Sequence, residues 1–201
     1  MFITGSESLV HLPISCKFAN YIWQMENKRT QLKVAMNYGA MYGLSGMAVF
    51  LLFYFIGTDI QSRIPQWISY LLLVLFIVIG IKSYRDEELG GYISYGKSLG
   101  TGILISLCGG VISGFFTLIF FAYIDPSMSQ KIIEASYQSL VEQGMSESQI
   151  ESAMEGVQMF MTPTWLFVFS ILGSGFMGLI FSLLISVFLR KEQNPFNSNV
   201  G

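Results

Sequence analysis

Four long apolar runs set the plan of this 201-residue chain. The first extends from about Met36 to Gly57, with Tyr38, Tyr42 and Tyr54 toward its ends. Trp67 opens the second, whose Leu71–Ile81 core has no polar side chain. The third is Leu99–Ile124, and Pro163 and Trp165 introduce the fourth, which ends at Arg190-Lys191. None has an Asp, Glu, Lys, Arg or His in its core. Each reaches the ~20 apolar residues that a helix needs to cross a bilayer, where every backbone polar group must be satisfied internally. The pattern therefore predicts an all-α, four-span transmembrane helical bundle. Residues 1–30 are expected to form a poorly ordered N-terminal tail, 31–191 the membrane domain, and 192–201 a flexible C-terminal tail.

The segments between the runs differ in character. Thr58 to Gln66 is a short loop. Lys82 to Lys97 concentrates charge, and Gly90-Gly91 within it suits a turn. Residues 125–162 are long enough for a helical hairpin between the third and fourth spans. Asp125-Pro126 suits an N-cap and first turn, with a helix continuing to Gln143 and stopping at Gly144. Ser146-x-x-Gln149 has the form of a capping box. It precedes a second helix on which Ile150, Ala153, Met154, Val157 and Met161 form an apolar stripe. Glu147, Glu151 and Glu155 form a parallel acidic stripe, which is either a solvated face or a surface for a cation or a basic partner.

Charge gives the chain a direction. With four spans, both termini and the Lys82–Lys97 loop share one side, which holds nine of the eleven basic residues. Lys82, Arg85, Lys97, Arg190 and Lys191 are the expected topology anchors, and the positive-inside bias places that side, with both termini, in the cytoplasm. The hairpin is then extracytoplasmic. Only 12% of residues are charged, about half the usual share for soluble domains. A net charge of −2 leaves no basic face for nucleic acid.

Candidate chemistry is sparse. The single histidine, His11, excludes a metal site built mainly on imidazole, and no nucleophile, zinc or phosphate-loop motif is present. Arg85-Asp86-Glu87-Glu88 concentrates charge, but consecutive residues on a helix fan apart. The chain is expected to be no enzyme and to hold no cofactor or metal. Cys16 and Cys108 fall in a tail and in mid-span, an unsuitable pair for a disulfide. Residues 1–24 lack a basic n-region and an apolar h-region, and Met25-Glu-Asn-Lys-Arg reads as an ordinary start ahead of a span. Translation from Met25 is the expectation.

Small residues recur every four positions in the last two spans. They are Gly102, Ser106, Gly110 and Gly114 in the third, and Ser170, Ser174, Gly178, Ser182 and Ser186 in the fourth. Such spacing holds one helix face, and small faces let helices approach closely in lipid. The two stripes are expected to face each other within one chain; the rival use is homodimerisation through one of them. The two halves also share punctuation, which is either an internal duplication or the preference of Tyr and Trp for membrane interfaces. Tyr38-Gly39-x-x-x-Gly43 matches Tyr95-Gly96-x-x-x-Gly100, and Pro65-x-Trp67 matches Pro163-x-Trp165.

Gly80 to Lys97, with its flanking spans and the acidic helix pair before the last span, resembles a bacterial family known as domain of unknown function 4199. The likeness covers about Gln31 to Lys191. It implies a four-span inner-membrane protein and supplies no activity, cofactor or catalytic residue. Two functions stay open. One is an accessory or interaction protein of the bacterial inner membrane, contacting the lipid bilayer and another membrane protein or itself. The other is a small oligomeric transporter or channel with a Gly/Ser-lined path.

Overall fold

In the computed structural model, which describes residues 14–57 and 62–191 with side chains from residue 28 onward, six helices follow one another. They are α1 (Ile14–Ile56), α2 (Ile64–Ser83), α3 (Tyr95–Ile119), α4 (Ser127–Glu142), α5 (Glu147–Phe160) and α6 (Pro163–Leu189). Two π-helical turns, Tyr84–Glu88 and Phe120–Ile124, extend α2 and α3. Four stretches are long and apolar enough to cross a membrane: Lys28–Ile56, Ile64–Glu88, Tyr95–Ile124 and Pro163–Leu189. The shortest has 25 residues, about 37 Å of helix against a hydrocarbon core of about 30 Å.

Helix α1 begins at Ile14. Residues 14–30, expected to be a poorly ordered tail, are instead continuous with the first span. The local reason is that no Gly or Pro interrupts residues 14–38, so nothing breaks the helix before the apolar run starts. Residues 1–13 and the 192–201 tail lie outside the described residues.

Helix α3 occupies the centre. It packs against α1 on one side and α6 on another, while α2 touches all three. Its buried residues form two neighbouring rows at helical spacing. Ser98, Gly102, Ser106, Gly110 and Gly114 make one, and Thr101, Ile105 and Gly109 the other. Beside them Leu73, Ile77, Ile81 and Tyr84 meet Ala35 of α1 and Ile93 in one buried cluster.

The outward surfaces invert the order of a soluble protein. On α6 the side chains of Ser182 and Ser186 are fully buried, whereas Phe188 is 84% exposed and Phe176 62%. On α2, Leu71, Leu75 and Ile79 are exposed around a buried row that includes Gly80. Small residues inside and large apolar ones outside suit lipid as the surrounding medium; such a surface would be an aggregation hazard in water. The chain is a multi-pass membrane protein.

Candidate functional site

The α3–α6 seam is the tightest contact in the bundle, and glycine makes it possible. Gly102 lies against Ser182 and Ile77, and Gly178 against Ser106. A methyl group added at Gly110 would sit 2.8 Å from Ser174 Cβ and 3.2 Å from the Ser170 carbonyl. The register steps by four on both helices, so it is antiparallel and continuous. Gly114 breaks the pattern: it meets Phe167, a large residue outside the two stripes. Two hydroxyls lock the seam by donating across it, Ser174 Oγ to the Ser106 carbonyl at 2.6 Å and Ser170 Oγ to the Gly110 carbonyl at 3.2 Å. Ser106 Oγ turns back to its own helix, donating to the Ile103 carbonyl at 2.8 Å.

Further along the seam, the buried hydroxyls of Ser98, Ser182 and Ser186 have no hydrogen-bond partner. One more step of the same register sets Ser98 level with Ser186. Ser98 escaped the sequence pattern although it continues the α3 stripe four residues before Gly102. The α1–α3 contact escaped it too. Added methyls at Gly39 and Gly43 would lie 2.6 Å from Cys108 Cβ and 3.0 Å from the Gly109 carbonyl. The matching Gly96 has open space around it, and Gly100 faces the Gln31 side chain. The two Tyr-Gly-x-x-x-Gly motifs thus do different work in the fold.

The five basic residues expected to anchor the topology gather at one end of the bundle, where α2 and α6 finish and α3 starts. Lys82 is exposed. Arg85 is engaged by its neighbour, Nε and an Nη donating to the two Asp86 carboxylate oxygens at 2.6 and 2.9 Å. The Lys97 carbonyl accepts from Thr101 Oγ1 at 2.7 Å and Gln31 Nε2 at 3.3 Å. Arg190 closes α6, and Lys191 pairs with Ile93 through the backbone while its ammonium lies 5.6 Å from the Tyr92 ring centre. Glu87 and Glu88 are exposed. Gly90 and Gly91 take φ of +64° and +90°, a region that L side chains rarely enter, and so turn the chain toward α3.

At the opposite end, Phe120 is fully buried and stacks edge-on with Phe50 and Tyr54 of α1. Tyr54 donates to Asp125 Oδ2 at 3.0 Å, Ser127 Oγ to Asp125 Oδ1 at 2.5 Å, and Lys131 Nζ reaches Oδ2 at 3.5 Å. The Ser127 hydroxyl foremost, with Tyr54 and Lys131, holds the Asp125 carboxyl below its ordinary range, against the opposing effect of partial burial. Asp125 was expected to cap α4 with its side chain. Instead that side chain ties α1 to the α3–α4 junction, and Pro126 precedes the first helical residue without a side-chain cap.

From this junction α4 and α5 project as a hairpin. Gly144, at φ +73°, ends α4 with its N–H donating to the Val141 carbonyl and that of Met145 to Leu140, a Schellman closure. A capping box opens α5, with Gln149 Oε1 accepting the Ser146 backbone N–H at 3.0 Å. Between the helices lies a groove of about 890 Å³. Ile133, Tyr137, Ile150 and Met154 contribute its apolar lining, and Glu134, Glu147, Glu151 and Glu155 its acidic one. Glu134 comes from the other helix and was invisible to a pattern read along α5 alone. Among the described residues, no three His, Cys, Asp or Glu side chains stand close enough together to hold one metal ion.

The described geometry offers a locked seam, a fastened basic end and an open acidic groove. No curated protein and no solved structure matches the chain. A family model does match, over residues 37–191, from early in the first span to the end of the fourth and with the hairpin included. The chain belongs to that family, described as protein of unknown function DUF4199.

Proposed function

We propose that this is an accessory or interaction protein of the bacterial inner membrane, with both termini cytoplasmic and the α4–α5 hairpin extracytoplasmic. The observation that carries the reading is the contrast between the two candidate sites. The Gly/Ser stripes are used up in backbone-close packing, where a single added methyl at Gly110 has no room. A path for ions or solutes along that seam would need space it lacks. The hairpin, in contrast, touches the bundle chiefly where α4 meets the Phe120–Ile124 turn, and its groove is open to a partner. The sidedness rests on Lys82, Arg85, Lys97, Arg190 and Lys191 at one end against Arg63 and Lys131 at the other.

Photo-crosslinking in native membranes tests the role. A reactive residue at Tyr137 or Met159 of the hairpin should capture the same membrane component, and one at lipid-facing Phe188 should not. Capture of that component equally from all three positions, or from none, would rule the proposal out. For orientation, a cysteine at Gln143 should react with an impermeant reagent in intact cells, and one at Glu87 only after permeabilisation.

A further inference from the structure

The α4–α5 groove differs sharply from the other side of the same hairpin. There a smaller groove of about 390 Å³ is lined by residues such as Ile132, Leu140, Ala153 and Val157, with hydroxyls and no charge. Of the five glutamates in α4 and α5, Glu142 alone lies outside the first groove, and none lines the second. Glu147, Glu151 and Glu155 stand one helical turn apart on α5, an arrangement of like charges that repel in the free helix. Glu134 faces them across the apolar floor, and no basic residue lines the groove. The carboxylates do not converge on a point, as a metal would require.

We infer that this groove is the docking site for a cationic amphipathic helix of a partner protein, an inference that rests on the interaction role proposed above and names its chemistry. The shape fits: from Glu147 to Gln158 the lined stretch of α5 spans about 16 Å, or three helical turns, and a third helix laid between two is a common packing solution. The floor calls for an apolar stripe, and Tyr137, half exposed, is of a type that often anchors interfaces. The rim calls for Lys or Arg on both flanks of that stripe. A second copy of this chain is poorly equipped for the part. On the hairpin side it carries Arg63 and Lys131, and Lys131 reaches Asp125.

The test uses the full chain in zwitterionic lipid nanodiscs, with empty discs as the blank. The probe is a synthetic helix with a leucine stripe flanked by lysines; its counterpart has glutamate at every lysine. The lysine helix should bind saturably, more weakly at high salt, and the acidic helix should not. Glu147→Gln/Glu151→Gln/Glu155→Gln should weaken binding by about tenfold, and Tyr137→Ala should weaken it without changing the salt dependence. Glu134→Gln, a single change on the other helix, gives a second reading should the triple variant misfold. Equal binding of both helices, or unaltered binding by the glutamine variants, would overturn the inference. A native partner crosslinked elsewhere on the hairpin, with no lysine-helix binding, would overturn the groove assignment and leave the interaction role standing. Groove binding without any crosslinked partner in native membranes would do the reverse.

Discussion

Ile93 and Lys191 exchange both of their backbone hydrogen bonds, Ile93 N–H to the Lys191 carbonyl at 2.9 Å and Lys191 N–H to the Ile93 carbonyl at 3.0 Å. The pair joins the turn before α3 to a residue just beyond the end of α6, so it fastens the middle of the family-matched region to its last residue. Arg190 has φ −59° and ψ 135°, which a following proline accepts. Lys191→Pro therefore removes one donor with little strain before it. It should cost about 1 kcal/mol of stability, read as a lower midpoint in thermal or detergent-induced unfolding. Lys191→Ala keeps the backbone pair and should cost less.

The α3–α6 seam makes a prediction that turns on position rather than residue type. Gly110→Ala places a methyl 2.8 Å from Ser174 Cβ and should destabilise by about 1–3 kcal/mol. Gly173→Ala, on the exposed side of α6, meets nothing within 4 Å. It should be neutral or gain up to about 1 kcal/mol from the better helix propensity of alanine. Equal effects from the two would mean that the seam is not where the helices meet.

The spans were legible because lipid imposes one rule on every position, so length and the absence of charge suffice. The hairpin was legible in its caps, since Gly144 and the Ser146–Gln149 box act locally. What escaped was relational. The role of Ser98 depends on which residue α6 brings opposite, and the groove needs Glu134 and Tyr137 from a helix whose neighbour is decided by folding. Gly80 was hidden for the same reason: it packs against Ile105 and Tyr38, from two other helices. The extent of α1 was misjudged because polarity before Met36 ends the span's apolar run without ending the helix.

Hydroxyls in the seam divide into two classes with different expected costs. Ser174 Oγ donates across the seam to the Ser106 carbonyl, and Ser174→Ala should lose about 1 kcal/mol. Ser186 is fully buried where Ser174 is only partly so, but its hydroxyl has no hydrogen-bond partner. Ser186→Ala then removes a polar atom whose burial is uncompensated, and should be neutral or stabilising. Comparing the two unfolding midpoints under one set of conditions checks the distinction.

Acid should loosen the junction at Asp125. Its carboxyl is held below the ordinary carboxylate range in the folded chain, by the Ser127 hydroxyl first and by Tyr54 and Lys131 with it. A folded-state pKa below the unfolded one means that the unfolded chain binds the proton more readily. The contribution is thus fully present above the ordinary carboxylate pKa. It is lost as pH falls through that value toward the lower folded one. Asp125→Asn should flatten this part of the acid limb in a plot of unfolding midpoint against pH. Tyr54→Phe, which removes one donor and leaves the carboxylate, should flatten it less. An acid limb unchanged by Asp125→Asn would show that the α1 tie contributes nothing to the pH dependence.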